Sequence, residues 1–162
     1  MKLDNTINIS KTLTSIENLL LDFEQFPQTS VLYGVLSELS LLSQKFRKYF
    51  QLKNINGLIN ELIIVISAAI EREIILEVKD IDLFLHITNL ILNSCNINYD
   101  NIYEISIITN EISNEYITSI KKITKTISLL KKTKYIKNEL LKEYNINKNS
   151  YKQSKIGNKS FY

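Results

Sequence analysis

Residues 100–144 read DNIYEISIITNEISNEYITSIKKITKTISLLKKTKYIKNELLKEY, and the spacing within them decides the fold class. Apolar side chains recur at Ile105, Ile108, Ile112, Tyr116, Ile120, Ile123, Ile127 and Leu130. Gaps of three and four hold one stripe on one face of an α-helix. Asn101 with Glu104 three residues on, or Asp100 itself, supplies a cap at the start. The spacing predicts a helix over 101–133, roughly 50 Å long at ~1.5 Å per residue. Its first half carries Glu104, Glu111 and Glu115 and no Lys or Arg, whereas its second half is crowded with lysine.

The same spacing runs back through the chain. Leu13, Ile16, Leu20 and Phe23 predict a first helix over 10–26, which Pro27 ends because proline disfavours helix at the residue before it. Thr29 or Ser30 caps a second helix to residue 51, with Leu32, Val35, Leu39, Leu42, Phe46 and Tyr49 as its stripe. Asn54, Asn56 and Gly57 read as a turn. The third helix, 57–78, is apolar on most sides, which predicts a central, buried helix. Its β-branched run also suits a buried strand, but the length and the Ala68–Ala69 pair favour helix. Asp80 or Asp82 starts a fourth helix to residue 95, with Phe84, Ile87, Leu90 and Ile91 inward and a polar turn over 93–101. Short connections predict an all-α, antiparallel up-down bundle of about five helices, whose long C-terminal helix overhangs into a basic tail. Residues 1–130 form the bundle in this reading, and 131–162 a basic helical extension and polar tail.

One proline and three glycines in 162 residues leave few breaks, and the length suits one domain with a sizeable core. Ile, Asn and Lys are over-used while arginine occurs only at 47 and 72, a bias expected of an AT-rich genome. Cys95 is the sole cysteine, so an intramolecular disulfide is excluded. The first dozen residues lack the apolar core of a signal peptide, and the uncharged run Leu62–Ile70 falls far short of the ~20 residues of a membrane span. These features predict a soluble protein of the cytoplasm or an organelle matrix, not a secreted one.

Residues suited to catalysis are sparse. His86 is the only histidine and has no Glu three residues before it, so the Glu-x-x-His ligand pair of metal-binding bundles is missing. Cys95 lies nine residues further on, which at ~100° per residue puts it on another face. Glu71, Glu73, Glu77, Asp80 and Asp82 read as a solvated helix end rather than a calcium loop. Three glycines leave no phosphate-cradling loop. The expectation is no enzyme, no cofactor and no metal site.

Charge is the stronger signal. Residues 1–120 hold eight Lys or Arg against fifteen Asp or Glu, a balance of −7. Residues 121–162 hold twelve Lys against Glu139 and Glu143, a balance of +10. Two basic groups stand out. Lys45, Arg47, Lys48 and Lys53 interleave with Phe46, Tyr49 and Phe50. That pattern suits nucleic acid, but it better suits cations complementing a helix C-terminus, with Phe46 and Tyr49 in the core and Asp100 and Glu104 facing this end. In the second group, Lys121, Lys122 and Lys125 are expected to meet the acidic turn 71–82.

Beyond Leu130 no such neutralisation is available. Lys131, Lys132, Lys134, Tyr135, Lys137, Lys142, Lys148, Tyr151, Lys152 and Lys155 form the expected nucleic-acid contact: lysines for phosphates, rings for bases. RNA is favoured over DNA because no groove-reading helix accompanies them. A merely solvated lysine-rich tail fits the same residues. The expected role is a non-enzymatic subunit or accessory factor of a nucleoprotein assembly, with nucleic acid and fellow protein subunits as partners; self-association is compatible with the sequence. The alternative is a protein-binding accessory, inhibitor or immunity-type bundle whose partner is acidic and which docks through residues 136–144, where Ile136, Leu140, Leu141 and Tyr144 form a second apolar set. A third reading is attachment of the basic segment to anionic lipid.

Overall fold

A computed structural model of the chain describes Leu3 and residues 6–130. Among them are five α-helices and no strand: α1 (Thr6–Gln25), α2 (Thr29–Phe46), α3 (Lys53–Glu71), α4 (Val78–Ile97) and α5 (Ile102–Leu129), with a 3-10 turn at Phe50–Leu52. The all-α class follows from the 3–4 spacing. Asn101 caps α5 as its sequence suggests, its side chain accepting from the Glu104 N–H at 3.2 Å. α5 ends at Leu129 with Leu130 as its C-cap; residues 131–133 of the expected helix lie outside the described residues.

α1 packs on α2 and α4, α2 on α3, α3 on α5, and α5 on α4, so each helix has two main neighbours. Ser10 bonds to Asn96 and Glu17 to Asn89, so residue numbers rise on α1 as they fall on α4 and the two run in opposite directions. α3 and α5 run the same way: Ser113 donates to the Asn54 carbonyl at 3.1 Å, and Ile123 and Ile127 lie beside Ile74 and Leu76 just past the end of α3. Gly34 allows α2 close to α1. A Cβ there would sit 3.3 Å from Leu19 Cδ1, tighter than most real contacts.

Three expectations need correction. The third helix has the smallest exposed share of the five, as expected of the most buried one, but it is a wall of the core rather than its centre. Ile55, Leu58, Ile59, Leu62, Val65, Ile66 and Ala69 are buried, but Ile64 is 47% exposed. Its β-branched richness is spread over both faces, while the packing uses one. By length and composition alone, Phe50–Glu71 is apolar enough to cross a membrane, unlike the uninterrupted run counted in the sequence; its inward face packs on α2 and α5.

Second, 54–57 is helix, not turn. The second helix stops at Phe46, the 3-10 turn intervenes, and α3 starts at Lys53. Buried Leu52 and Ile55 pull the segment into the core, overriding the weak helix propensity of Asn and Gly. A Cβ at Gly57 would meet nothing within 4 Å. Gly57→Ala is therefore expected to raise stability by about 0.5–1 kcal/mol in urea unfolding, the ordinary Gly–Ala difference in a helix. An unchanged or lower midpoint would mean that 54–57 is not regular helix.

Third, α3 ends at Glu71 rather than near 78. Glu73 adopts φ 54°, the left-handed conformation that usually falls to glycine at a helix end. The Glu73 N–H reaches the Ile70 carbonyl at 3.1 Å and the Ile74 N–H the Ala69 carbonyl at 3.0 Å, a Schellman closure. Ile74 and Leu76 are then buried while Ile75 and Glu77 are exposed, the alternation of an extended strap. The fourth helix accordingly starts at Val78, earlier than Asp80, and runs on to Ile97 through part of the expected polar turn.

Candidate nucleic-acid interface

The predicted contact residues, Lys131 through Lys155, lie outside the described residues; the structure shows the root from which they leave. The last two turns of α5 pass beside the strap that follows α3. Between them is a cleft of about 140 Å³ with Ile74, Leu76, Ile123, Ile127 and Leu130 in its lining. Glu77, Asp80 and Lys122 line it as well. Bundle contact thus lasts to Leu130, further than the length of α3 implies, because the strap carries Ile74 and Leu76 over the end of α5.

The expected neutralisation of α5's lysines does not take the form of ion pairs. Lys121, Lys122 and Lys125 are exposed. Among the described residues none of them pairs with Glu71, Glu77, Asp80 or Asp82; the pair at this end is Lys79–Glu77 at 3.9 Å, both side chains largely exposed. The reason is rotational. With Ile120 and Ile127 turned into the core, the lysines are left on the solvent side.

The acidic groups at this end crowd one another. A hydrogen bond with Asp82, together with burial and the charge of Asp82, pushes the Glu24 carboxyl up to about 7. Burial and the neighbouring Glu77 raise Asp80. Glu24 closes α1 and Asp82 opens α4, so the pair joins two elements. Since the folded-state value lies above the ordinary one, folding retains a proton that the unfolded chain releases. The stabilisation is complete below the ordinary carboxylate range and is lost as pH rises through about 7. Glu24→Gln should raise the melting temperature at pH 8 and leave it near the parent's at pH 4. A parent that melts at the same temperature across this range would contradict the pairing.

The other basic group lies on the connection between α2 and α3. Phe46, Tyr49 and Leu52 are buried, in agreement with a core role. Arg47, Lys48 and Lys53 are exposed and Lys45 partly so. Phe50 is 76% exposed, with the Lys53 ammonium 4.5 Å from its ring centre. This group and the end of α5 occupy different levels. Asn54, one residue past Lys53, is bonded at Ser113, about 25 Å along α5 from Leu130 at ~1.5 Å per residue.

His86 and Cys95 stand apart, as their spacing implies. His86 is exposed, with Nε2 3.0 Å from the Tyr116 hydroxyl and the rings edge-on. Burial and Glu115 raise the Tyr116 hydroxyl above its usual range. Cys95 is fully buried, which pushes its thiol up to about 12 and keeps it protonated and unreactive. No group of three or more His, Cys, Asp or Glu fit to hold a metal ion occurs among the described residues. No family model, curated protein or solved structure matches the chain. The functional reading therefore rests on its own residues. Sequence reasoning placed Phe50 with its basic neighbours but not its exposure, which depends on Tyr49 and Leu52 taking the inward positions.

Proposed function

We propose that the chain is a non-enzymatic helical-bundle subunit or accessory factor of a nucleoprotein assembly. In this reading the helices form an antiparallel up-down bundle, α5 continues as a basic extension, and residues 131–162 lie along RNA or DNA backbone. The observation that carries it is the charge split: nine lysines against two glutamates beyond Leu130, following a body that is net acidic. Among the described residues Lys121, Lys122 and Lys125 form no ion pair, which supports it, because positive charge then begins before the extension does. Lysine contacts of this kind bind without sequence preference and release counterions, so binding must weaken steeply with salt. A gel shift with unrelated RNAs, repeated at rising salt, tests the reading. Salt-sensitive binding to all of them is expected; no binding at low salt would reject it.

A second reading has an observation of its own. The cleft between the strap and α5 lies at the root of the segment that carries Ile136, Leu140, Leu141 and Tyr144. A bundle that docks a protein partner through residues 136–144 would present both surfaces together. Such a protein would bind an acidic protein partner and would not shift RNA.

A further inference from the structure

We propose that the turn joining α2 to α3 is a second contact for single-stranded nucleic acid, with Phe50 as a stacking platform and Arg47, Lys48 and Lys53 as phosphate contacts. The inference extends the nucleic-acid reading but stands on different residues. Three observations converge. First, Phe50 is 76% exposed on a turn whose other large apolar residues are buried. Its exposure follows from the way the turn is fixed: Tyr49 and Leu52 fill the core, and the Tyr49 N–H and Leu52 N–H close onto the Phe46 and Tyr49 carbonyls at 3.0 Å each. The ring is thus held outward by a pinned backbone. Second, no carboxylate occurs between Glu38 and Glu61 in the sequence, and none is ion-paired with Arg47, Lys48 or Lys53 among the described residues. The macrodipole of α2 accounts for Lys45 in its last turn and for Arg47 at its C-cap. It does not account for Lys53, which opens α3, the end where a positive charge is disfavoured.

Third, the parts are close together. Arg47 to Lys53 span seven residues of tight turn, and Lys53 already sits 4.5 Å from the Phe50 ring centre. Lys53 covers one face of the ring, so a base would stack on the other, with its phosphates within reach of these cations. Nucleic acid is favoured over a lipid surface because one ring among three cations gives too narrow an apolar face to enter a bilayer interface.

The test uses the full-length protein and a labelled oligouridylate, followed by anisotropy over a salt series. Phe50→Ala is expected to weaken binding on the order of tenfold while Phe50→Tyr retains it. The triple variant Arg47→Gln, Lys48→Gln, Lys53→Gln should flatten the slope of log affinity against log salt by roughly 2. Circular dichroism and melting temperature should match the parent for each, since all four side chains are exposed. If the turn variants bind like the parent while glutamines at Lys131, Lys132, Lys134 and Lys137 weaken binding, the turn is not a contact and the extension alone is the grip. If the reverse holds, the turn is the grip and the reading of the extension fails. Loss of binding to phosphatidylserine vesicles without change on the oligouridylate would overturn the proposal in favour of lipid.

Discussion

Ile66→Asp is expected to unfold the bundle. Ile66 is 1% exposed on the inward face of α3, between Leu62 and Ala69, which are also buried. An unpaired carboxylate there costs several kcal/mol, a large part of the ~5–15 kcal/mol that holds an ordinary domain together. The companion substitution Ile64→Asp provides the contrast. Ile64 is 47% exposed on the opposite side of the helix, and a charge there should change stability by about 0.5 kcal/mol or less. Far-UV circular dichroism and urea unfolding read both. A folded Ile66→Asp protein with the parent's midpoint would mean that α3 is not a core wall. Comparable loss from Ile64→Asp would mean that α3 is enclosed on both sides after all.

The second large effect is expected from removing residues 131–162. Residues 1–130 contain a continuous core of their own, from Leu3 to Ile127. With that core kept, residues 1–130 are expected to melt close to the full chain. Affinity for nucleic acid should nevertheless fall by about two orders of magnitude or more, equivalent to roughly 3 kcal/mol. Pull-down with a tagged full-length protein and with residues 1–130 provides the cellular counterpart: nucleic acid should accompany the first and not the second. Equal recovery with both would place the contact within the bundle.

Helix existence was legible in the sequence wherever one stripe was inward and the other face polar. α1, α2 and α5 are of this kind, and Ile105, Ile112, Ile120 and Ile127 are buried as their spacing requires. Thr109 and Ser113 also lie inward on α5, where hydroxyls bonded to the Ile105 and Asn54 carbonyls replace apolar side chains. A count of apolar residues passes over them. α3 misled because β-branched side chains cover both its faces, so composition could not say which face packs. Its ends misled for local reasons. Asn54, Asn56 and Gly57 carry turn residues into a helix that Ile55, Leu58 and Ile59 anchor. Glu73 takes a left-handed cap position where only Gly or Asn would have announced it. The basic character of the candidate interface was legible as charge alone. Which lysines remain unpaired, and that Phe50 turns outward, depend on helix rotation and on the 3-10 turn.

The central claim is that the extension after α5 holds phosphate backbone, and salt dependence tests it most directly. The full-length protein and a variant with Lys131, Lys132, Lys134 and Lys137 all replaced by Gln should be titrated with the same single-stranded RNA across a salt series. If the four lysines contact phosphates, the slope of log affinity against log salt should become shallower by roughly 3, with the same loss for RNAs of unrelated sequence. An unchanged slope and affinity would contradict the account and give precedence to a bundle that docks protein.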